Sequence, residues 1–494
     1  MAKREYIIAP AGHGKTEQIS NFVLTNSAKK VLVLTHTNAG VSTLMKRFRK
    51  YEIPSKKYDI STIDSFSIKY AIAYPSVSGI RDNPKTNVEY DLCRRGVIKV
   101  FELAYLQNFL KARYSLIVID EYQDCTDIQH EFILKLSENV NCIALGDPMQ
   151  GIFNFGGNNL VSWQDIRLNY DQHEVSLEIP YRWKDGNEGL GKWLKNARHK
   201  LQNGEELVFE GENIQFSETA LFQDKISPIY RCIHNTEELL FVVKDDSTSG
   251  VMKKKFAQSF NGLLQVVDAL DFSLFYKFLD NVESDQNKEV FDALITFFEN
   301  CMTKVSYFKS PIETKVKKLW DRSNPKSISD IRNMTFTIRD DIKRKKMSRL
   351  YWCFLNVIEF KGKERAKALL QLLIAIEKFI KIYDPDSNGF IYRKDIWNSA
   401  KNALNLYIRN YEENESLEDF GRKIRQRISF MGRGFKIVIG TTLLTKGLEF
   451  DQVIINKPEE FEAKHLYVAL SRAKARITIL GESKEVQLPV PGNL

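Results

Sequence analysis

Cysteine is scarce and scattered. The 494 residues hold six, at Cys93, Cys125, Cys142, Cys232, Cys301 and Cys353, with no C-x-x-C pair. That pattern excludes a disulfide scaffold, argues against zinc or iron–sulfur ligation and points to a reducing compartment. Seven histidines show no metal spacing either. Long apolar runs are missing. The most apolar stretch, 368–376, stops at Glu377, too short to span a bilayer, so no membrane is expected. There is no obvious repeat, low-complexity tract or long Pro/Gly linker. A Gly-rich loop follows Met1 almost at once, which leaves no room for a signal peptide and sets the expectation of a cytoplasmic protein. Neither charge sign dominates: 72 Lys and Arg against 63 Asp and Glu give +9, a mild push toward a polyanionic partner. What remains is a globular composition, with enough chain for three or four domains or subdomains.

The most informative segment is Ala9-Pro10-Ala11-Gly12-His13-Gly14-Lys15-Thr16. It follows the β-rich Tyr6-Ile7-Ile8 and precedes a helical pattern over 17–26. Strand, loop and helix in that order suit phosphate binding. Glycines let backbone N–H groups converge on phosphate oxygens, Lys15 can reach the β- and γ-phosphates, and the Thr16 hydroxyl can hold Mg²⁺. A Gly-rich turn before a helix would use the same letters. Ala9 stands where the usual pattern has glycine.

Short apolar runs at 6–9, 30–35, 59–63, 116–120 and 142–145 alternate with helical patterns, as at 40–50 and 127–137. Strands buried on both faces and joined by helices imply a doubly wound parallel sheet, class α/β, with ligands at the carboxyl ends of its strands. Residues 83–113 read as a small helical insertion. A second α/β unit begins near Tyr181 with a strand expected at 228–233. Residues 250–430 are rich in helical patterns, among them 256–276, 290–303 and 364–383. Strands return at 435–440, 452–456 and 476–480.

Ile119-Asp120-Glu121-Tyr122-Gln123-Asp124 ends an apolar strand in paired carboxylates. Asp120 can hold Mg²⁺, and Glu121 can orient or deprotonate an attacking water. In 145–157, Gln150 can sense a γ-phosphate. Phe153 and Phe155 there are either stacking faces for bases or two core aromatics. Arg182, after Pro180-Tyr181, and Arg472, in Tyr467-Val468-Ala469-Leu470-Ser471-Arg472-Ala473, can reach a nucleotide across a cleft. Alone, each would be a surface charge.

Taken in order, AGHGKT (11–16), THTNAG (35–40), TIDSF (62–66), IDEYQD (119–124), GDPMQ (146–150), PYR (180–182), TKGLEF (445–450) and YVALSRA (467–473) resemble the superfamily 1 helicases of the UvrD/Rep type. The resemblance implies two RecA-like parallel-sheet domains with helical insertions. The first is 1–180, with its small insertion at about 83–113. The second is 181–250 with 431–494, and a helical insertion fills 251–430. It further implies ATP and Mg²⁺ as cofactors, single-stranded DNA as partner and 3′→5′ movement. Lys15 and Thr16 would bind phosphates and Mg²⁺, Asp120 the metal shell, and Glu121 would be the catalytic base. Gln150, Arg182 and Arg472 would contact the γ-phosphate, Tyr181 the adenine and Glu449 the ribose. Thr37, Asn38, Phe66 and Phe155 would touch the strand.

Departures from the family pattern accompany these matches. The glutamine motif that reads adenine has almost no room before Ala9, which leaves base selection open. Leu443 replaces the usual histidine and Gly156 the usual arginine, both at DNA-touching positions. Only about fifty residues separate Phe66 from Asp120, so the accessory domain is cut to a stub. This small build resembles the helicase subunit of Gabija-type antiphage systems, which implies a separate nuclease/ATPase partner. The alternative is a regulatory subunit that senses nucleotide or DNA ends and controls that nuclease with little unwinding of its own.

Two further segments stand apart. Asp384, Asp386, Asn388 and Asp395 fit a D-x-D-x-N-G calcium loop with a shortened twelfth position, although a polar turn between helices explains the same letters. Lys343-Arg344-Lys345-Lys346, close to Tyr351 and Trp352, is either a solvated helix face or a surface for DNA or protein.

Overall fold

The computed structural model describes residues 2–26, 29–84, 87–152, 159–175, 177–218, 238–244, 249–259, 264–267, 273–321, 323–383, 390–410, 416–417, 420–421 and 436–492. The chain forms two compact units. The first comprises Met1–Asp245, Phe430–Gly432 and Thr441–Leu494; the second comprises Asp246–Ser429 and Arg433–Gly440. The strands in chain order are β1 (Arg4–Ile8), β2 (Lys30–Thr35), β3 (Tyr58–Thr62), β4 (Tyr114–Ile119), β5 (Asn141–Gly146), β6 (Asp171–Gln172), β7 (Leu207–Val208), β8 (Ile214–Glu218), β9 (Leu239–Val243), β10 (Gln265–Val266), β11 (Ile437–Thr441), β12 (Phe450–Asn456), β13 (Ala473–Gly481) and β14 (Glu485–Val486).

The first sheet of the first unit runs β3-β2-β4-β5-β1-β6, every pairing parallel. Its central strands bury both faces. Val31, Val33, Leu116 and Val118 belong to one core; the intervening Leu32, Leu34, Ile117 and Ile119 belong to the other. That is why these runs carry no alternation of apolar and polar residues. Each such side chain contributes roughly 1.5–3 kcal/mol by burial. The order places β4, β5 and β1 side by side, so the loops after them emerge together at one edge of the sheet. The insertion is helical as expected, with helices Asn87–Val100 and Ala104–Arg113. Arg94 ties it to the main body through a two-pronged ion pair with Asp64, both contacts at 2.9 Å.

The second sheet of this unit runs β9-β12-β13-β8, again parallel, and β7 pairs antiparallel with β14. Strands β8 and β9 are absent from the sequence expectation. β9, Leu-Leu-Phe-Val-Val, is buried at every position, so periodicity cannot separate it from a buried helix. The strand expected at 228–233 lies outside the described residues.

In the second unit, a single helix over 256–276 is incorrect. Helix Ser249–Ser259 ends, β10 follows, and helix Ser273–Val282 begins anew. β10 pairs in parallel with β11, and Val267 N–H donates to Ile439 O (2.7 Å). That ladder outweighs the helical spacing. The remainder is a helical core rich in aromatics. Phe278 and Phe297 stack at 3.9 Å, and Trp397 lies 5.8 Å from Phe297. Among the described residues, no helix is long and apolar enough to cross a membrane.

Candidate functional site

The loop after β1 is tightly wound. Ala9 N–H donates to Gly146 O (2.8 Å), which fixes the loop against β5. Gly12 and Gly14 have φ of 74° and 84°, in the left-handed region that favours glycine. A Cβ on Gly12 would stand 2.6 Å from the Trp183 ring, and one on Gly14 would stand 2.8 Å from the Tyr181 ring. Pro10 and Ala11 complete the bend; His13 N–H donates to Pro10 O. His13 is buried and its Nδ1 bonds Ala11 O (2.8 Å), while Nε2 has no described partner. Burial lowers its pKa, so the ring is neutral. Helix Lys15–Thr25 starts at Gly14 with no side-chain cap, and Thr16 lies in its first turn, where backbone N–H groups stay free for an anion.

Lys15 Nζ lies 2.5 Å from Glu121 Oε1 and 3.7 Å from Asp120 Oδ1. Glu121 is itself in the left-handed region at φ 58°, an uncommon place for a side chain of this size. Gln123 Nε2 donates to its second oxygen (2.5 Å). The two adjacent carboxylates behave oppositely. Burial pushes Asp120 up to about 6 against the pull of Lys15. Burial also works to raise Glu121, but Lys15 and then Lys446 outweigh it and hold it down to about 2. Such divergence is what a site needs to give two carboxylates different tasks. Burial disfavours the Lys15 ammonium, yet Glu121 and Asp120 leave it raised overall.

Residues from the turn Tyr181–Trp183 and from the segments that lead into β12 and β13 reach the same place. Arg182 N–H donates to Gly12 O (3.0 Å), its guanidinium bonds Ser471 O (2.5 Å) and Glu449 Oε1 (2.5 Å), and Tyr181 lies over Gly14. Arg472 is buried. It donates to Val468 O (3.0 Å), to Ser471 Oγ (2.7 Å) and to Gln150 Oε1 (3.2 Å). Burial, with Arg182 beside it, brings Arg472 down to about 10, still charged at neutral pH. The structure therefore brings together Lys15, Asp120, Glu121, Gln150, Arg182, Glu449, Tyr181 and Arg472.

Several residues in this cluster had no role in the sequence reading. Lys446 Nζ meets Asp124 Oδ1 at 2.5 Å, with side chains 6% and 4% exposed, and also donates to Gln150 O (2.5 Å). Tyr467 OH accepts from Ala11 N–H (3.1 Å). Asp124, Lys446 and Tyr467 all lie within the quoted blocks, so the blocks were the signal. Trp183, whose Nε1–H donates to Ala473 O (2.9 Å), was marked only by adjacency to Arg182.

The expected strand-contacting residues among those described lie in different settings. Thr37 caps helix Asn38–Lys50 by accepting from Gly40 N–H. Phe66 is 6% exposed and packs on Tyr70, Phe101 and Phe132. Phe155 and Gly156 lie outside the described residues, as do Asp384, Asp386 and Asn388 and the side chain of Asp395. In helix Asp341–Glu359, Tyr351 is buried with its hydroxyl donating to Ile331 O (3.0 Å), so it offers nothing at the surface, whereas Trp352 is exposed.

Residues 85–170 match the UvrD/REP helicase N-terminal domain. The chain resembles the UvrD/Rep helicases. That stretch contains Asp120, Glu121 and Gln150, and the Gly-rich loop precedes it. A probable DNA helicase II homolog of Mycoplasma capricolum subsp. capricolum is 22% identical over 205 residues, 36% of this chain and 28% of that protein. The chain thus spans 28% of the length of that relative. The two parallel sheets agree with this likeness.

Proposed function

We propose that the protein is an ATP-driven translocase on single-stranded DNA, moving 3′→5′ with helicase activity. In this reading the first RecA-like domain is 1–180, the second is 181–250 with 431–494, and 251–430 is a helical insertion. The observation that carries it is the convergence of Lys15, Asp120, Glu121 and Gln150 with Arg182 and Arg472 from later in the chain. The donor set fits a nucleoside triphosphate with Mg²⁺. Lys15, Arg182 and Arg472 would face phosphates, Asp120 and Glu121 would serve a metal and a water, and the rings of Tyr181 and Trp183 lie on the glycine loop.

Asp120 and Thr16 would hold Mg²⁺, whose contribution when bound is to neutralise charge on the β- and γ-phosphates. Lys15 now spends its charge on Glu121, which keeps that carboxylate a weak base. When Lys15 turns to phosphate instead, Glu121 loses the cation that depresses it. Its basicity rises where a water needs deprotonation. Arg182 similarly exchanges Glu449 for phosphate, which frees Glu449 for a ribose. Gln150 and Arg472 are already in contact, so they act as one unit at the γ-phosphate end.

The test is ATP hydrolysis with and without single-stranded DNA. Stimulation by DNA, lost in Lys15→Ala and Glu121→Gln, is expected. A rate indifferent to DNA and equal in Glu121→Gln would falsify this reading. The core placement of Phe66, with Leu443, favours a second reading in which this chain controls a separate nuclease, as the Gabija-type likeness implies, and unwinds little. Strand-displacement assays with and without such a partner separate the two.

A further inference from the structure

Asp147 directly follows β5 and its side chain is completely buried. Its Oδ1 accepts from Met149 N–H (3.1 Å) and from the Arg198 guanidinium, Nη2 at 2.8 Å and Nε at 3.3 Å. Its Oδ2 accepts from Gln150 Nε2 (3.1 Å). Its own N–H donates to Gln123 Oε1 (3.0 Å). Arg198 comes from helix Glu188–Asn203, outside every sequence block, and its guanidinium lies 5.9 Å from the Tyr467 ring. Tyr467 in turn accepts from the glycine loop at Ala11.

The Gln150 amide is the point of decision. Its Nε2 donates to Asp147 and its Oε1 accepts from Arg472. The two ends of an amide are nearly the same shape, so only their partners fix which way it faces. A buried carboxylate persists as an anion only beside a cation, and the cation in contact with Asp147 is Arg198. Remove it, and the Asp147 carboxylate loses both guanidinium donors and is free to swing away. Gln150 then loses the acceptor that orients it, and its NH₂ is free to turn toward Arg472, donor against donor.

Resting on the nucleotide reading above, we propose that Arg198 is a positioning residue for ATP turnover: through Asp147 it fixes the Gln150 amide and thereby the Arg472 guanidinium. It touches no substrate, so its loss changes kcat and leaves ATP binding alone. Displacing groups by about an ångström costs on the order of 100-fold in rate.

The experiment is DNA-stimulated ATPase kinetics on the full chain, with binding of a fluorescent ATP analogue measured alongside. Arg198→Ala is expected to lower kcat by about 10- to 100-fold with KM and analogue affinity within about two-fold. Arg198→Lys keeps the charge without the fork and recovers part of the rate. Guanidinium chloride at sub-denaturing concentration raises the rate of Arg198→Ala and not that of wild type. Arg198→Ala strands a buried charge and can unfold. The double variant Arg198→Met/Asp147→Asn removes both charges, keeps the thermal midpoint near wild type and still turns over slowly. An unchanged kcat in either folded variant overturns the inference, and so does a raised KM at constant kcat. A wild-type protein without ATPase activity overturns the nucleotide reading itself, and this inference with it.

Discussion

Replacing Lys446 by Met should strand a carboxylate in the interior and make stability depend on pH in a defined direction. Lys446 and Asp124 meet at 2.5 Å with almost no exposure, and Asp124 already stands at about 6 because burial outweighs its partner. Breaking a buried pair costs about 3–5 kcal/mol. In a unit of this size that lowers the melting temperature by roughly 5–15 °C. The sign follows from linkage. Asp124 has a folded pKa above its unfolded value, so the folded state binds its proton more tightly. Its contribution to stability is fully present below the unfolded pKa and is lost as pH rises through the folded one. Without Lys446 the folded pKa climbs further, and the losing window extends upward past pH 6. The deficit of Lys446→Met against wild type therefore grows between pH 5.5 and 8, by up to about 1.4 kcal/mol per pH unit. Thermal unfolding across that range, with Lys446→Met/Asp124→Asn as partner variant, reads it directly. A deficit flat with pH, or a double variant as unstable as the single, would refute the reasoning.

Gly14→Ala must hold a Cβ at φ 84° and press it to 2.8 Å from Tyr181. The backbone term alone costs about 1–2 kcal/mol, and fluorescent-nucleotide affinity should fall by about ten-fold. Gly79→Ala shares the positive φ of 75° but has no described atom within 4 Å, so it should leave that affinity untouched; equal effects would show that crowding of the loop is irrelevant. Trp397→Ala removes a buried ring and the donor to Glu377 Oε1 (2.7 Å). It should cost about 3–5 kcal/mol, seen as faster hydrogen exchange in helix Asn287–Cys301.

The first sheet was legible because its strands are short, apolar and separated by turn and cap signals. The five expected strands are all present, displaced by two residues at most. The site was legible because its residues stand in ordered blocks at strand ends. What the chain hides is tertiary. Phe66 has the letter of a stacking residue, but Phe101 and Phe132, 35 and 66 residues on, pack against its ring. Arg198 has the letter of a solvated helix charge, but a buried Asp147 51 residues upstream claims it. β9 offers no period to read, and β10 is decided by its neighbour β11. In each case the deciding partner is remote in sequence, where local patterns carry no information.

Ala11 donates to a hydroxyl 456 residues downstream, and Arg472 reaches Gln150 across 322. On a ribosome adding about 5–20 residues per second, the glycine loop waits roughly 20–90 s for that hydroxyl to be made. A nascent chain therefore exposes the loop, Asp120 and Glu121 long before it owns the Arg472 guanidinium. In the nucleotide reading, a chain stopped ahead of Tyr467 lacks both the hydroxyl that holds the glycine loop and Arg472, and is expected to be silent.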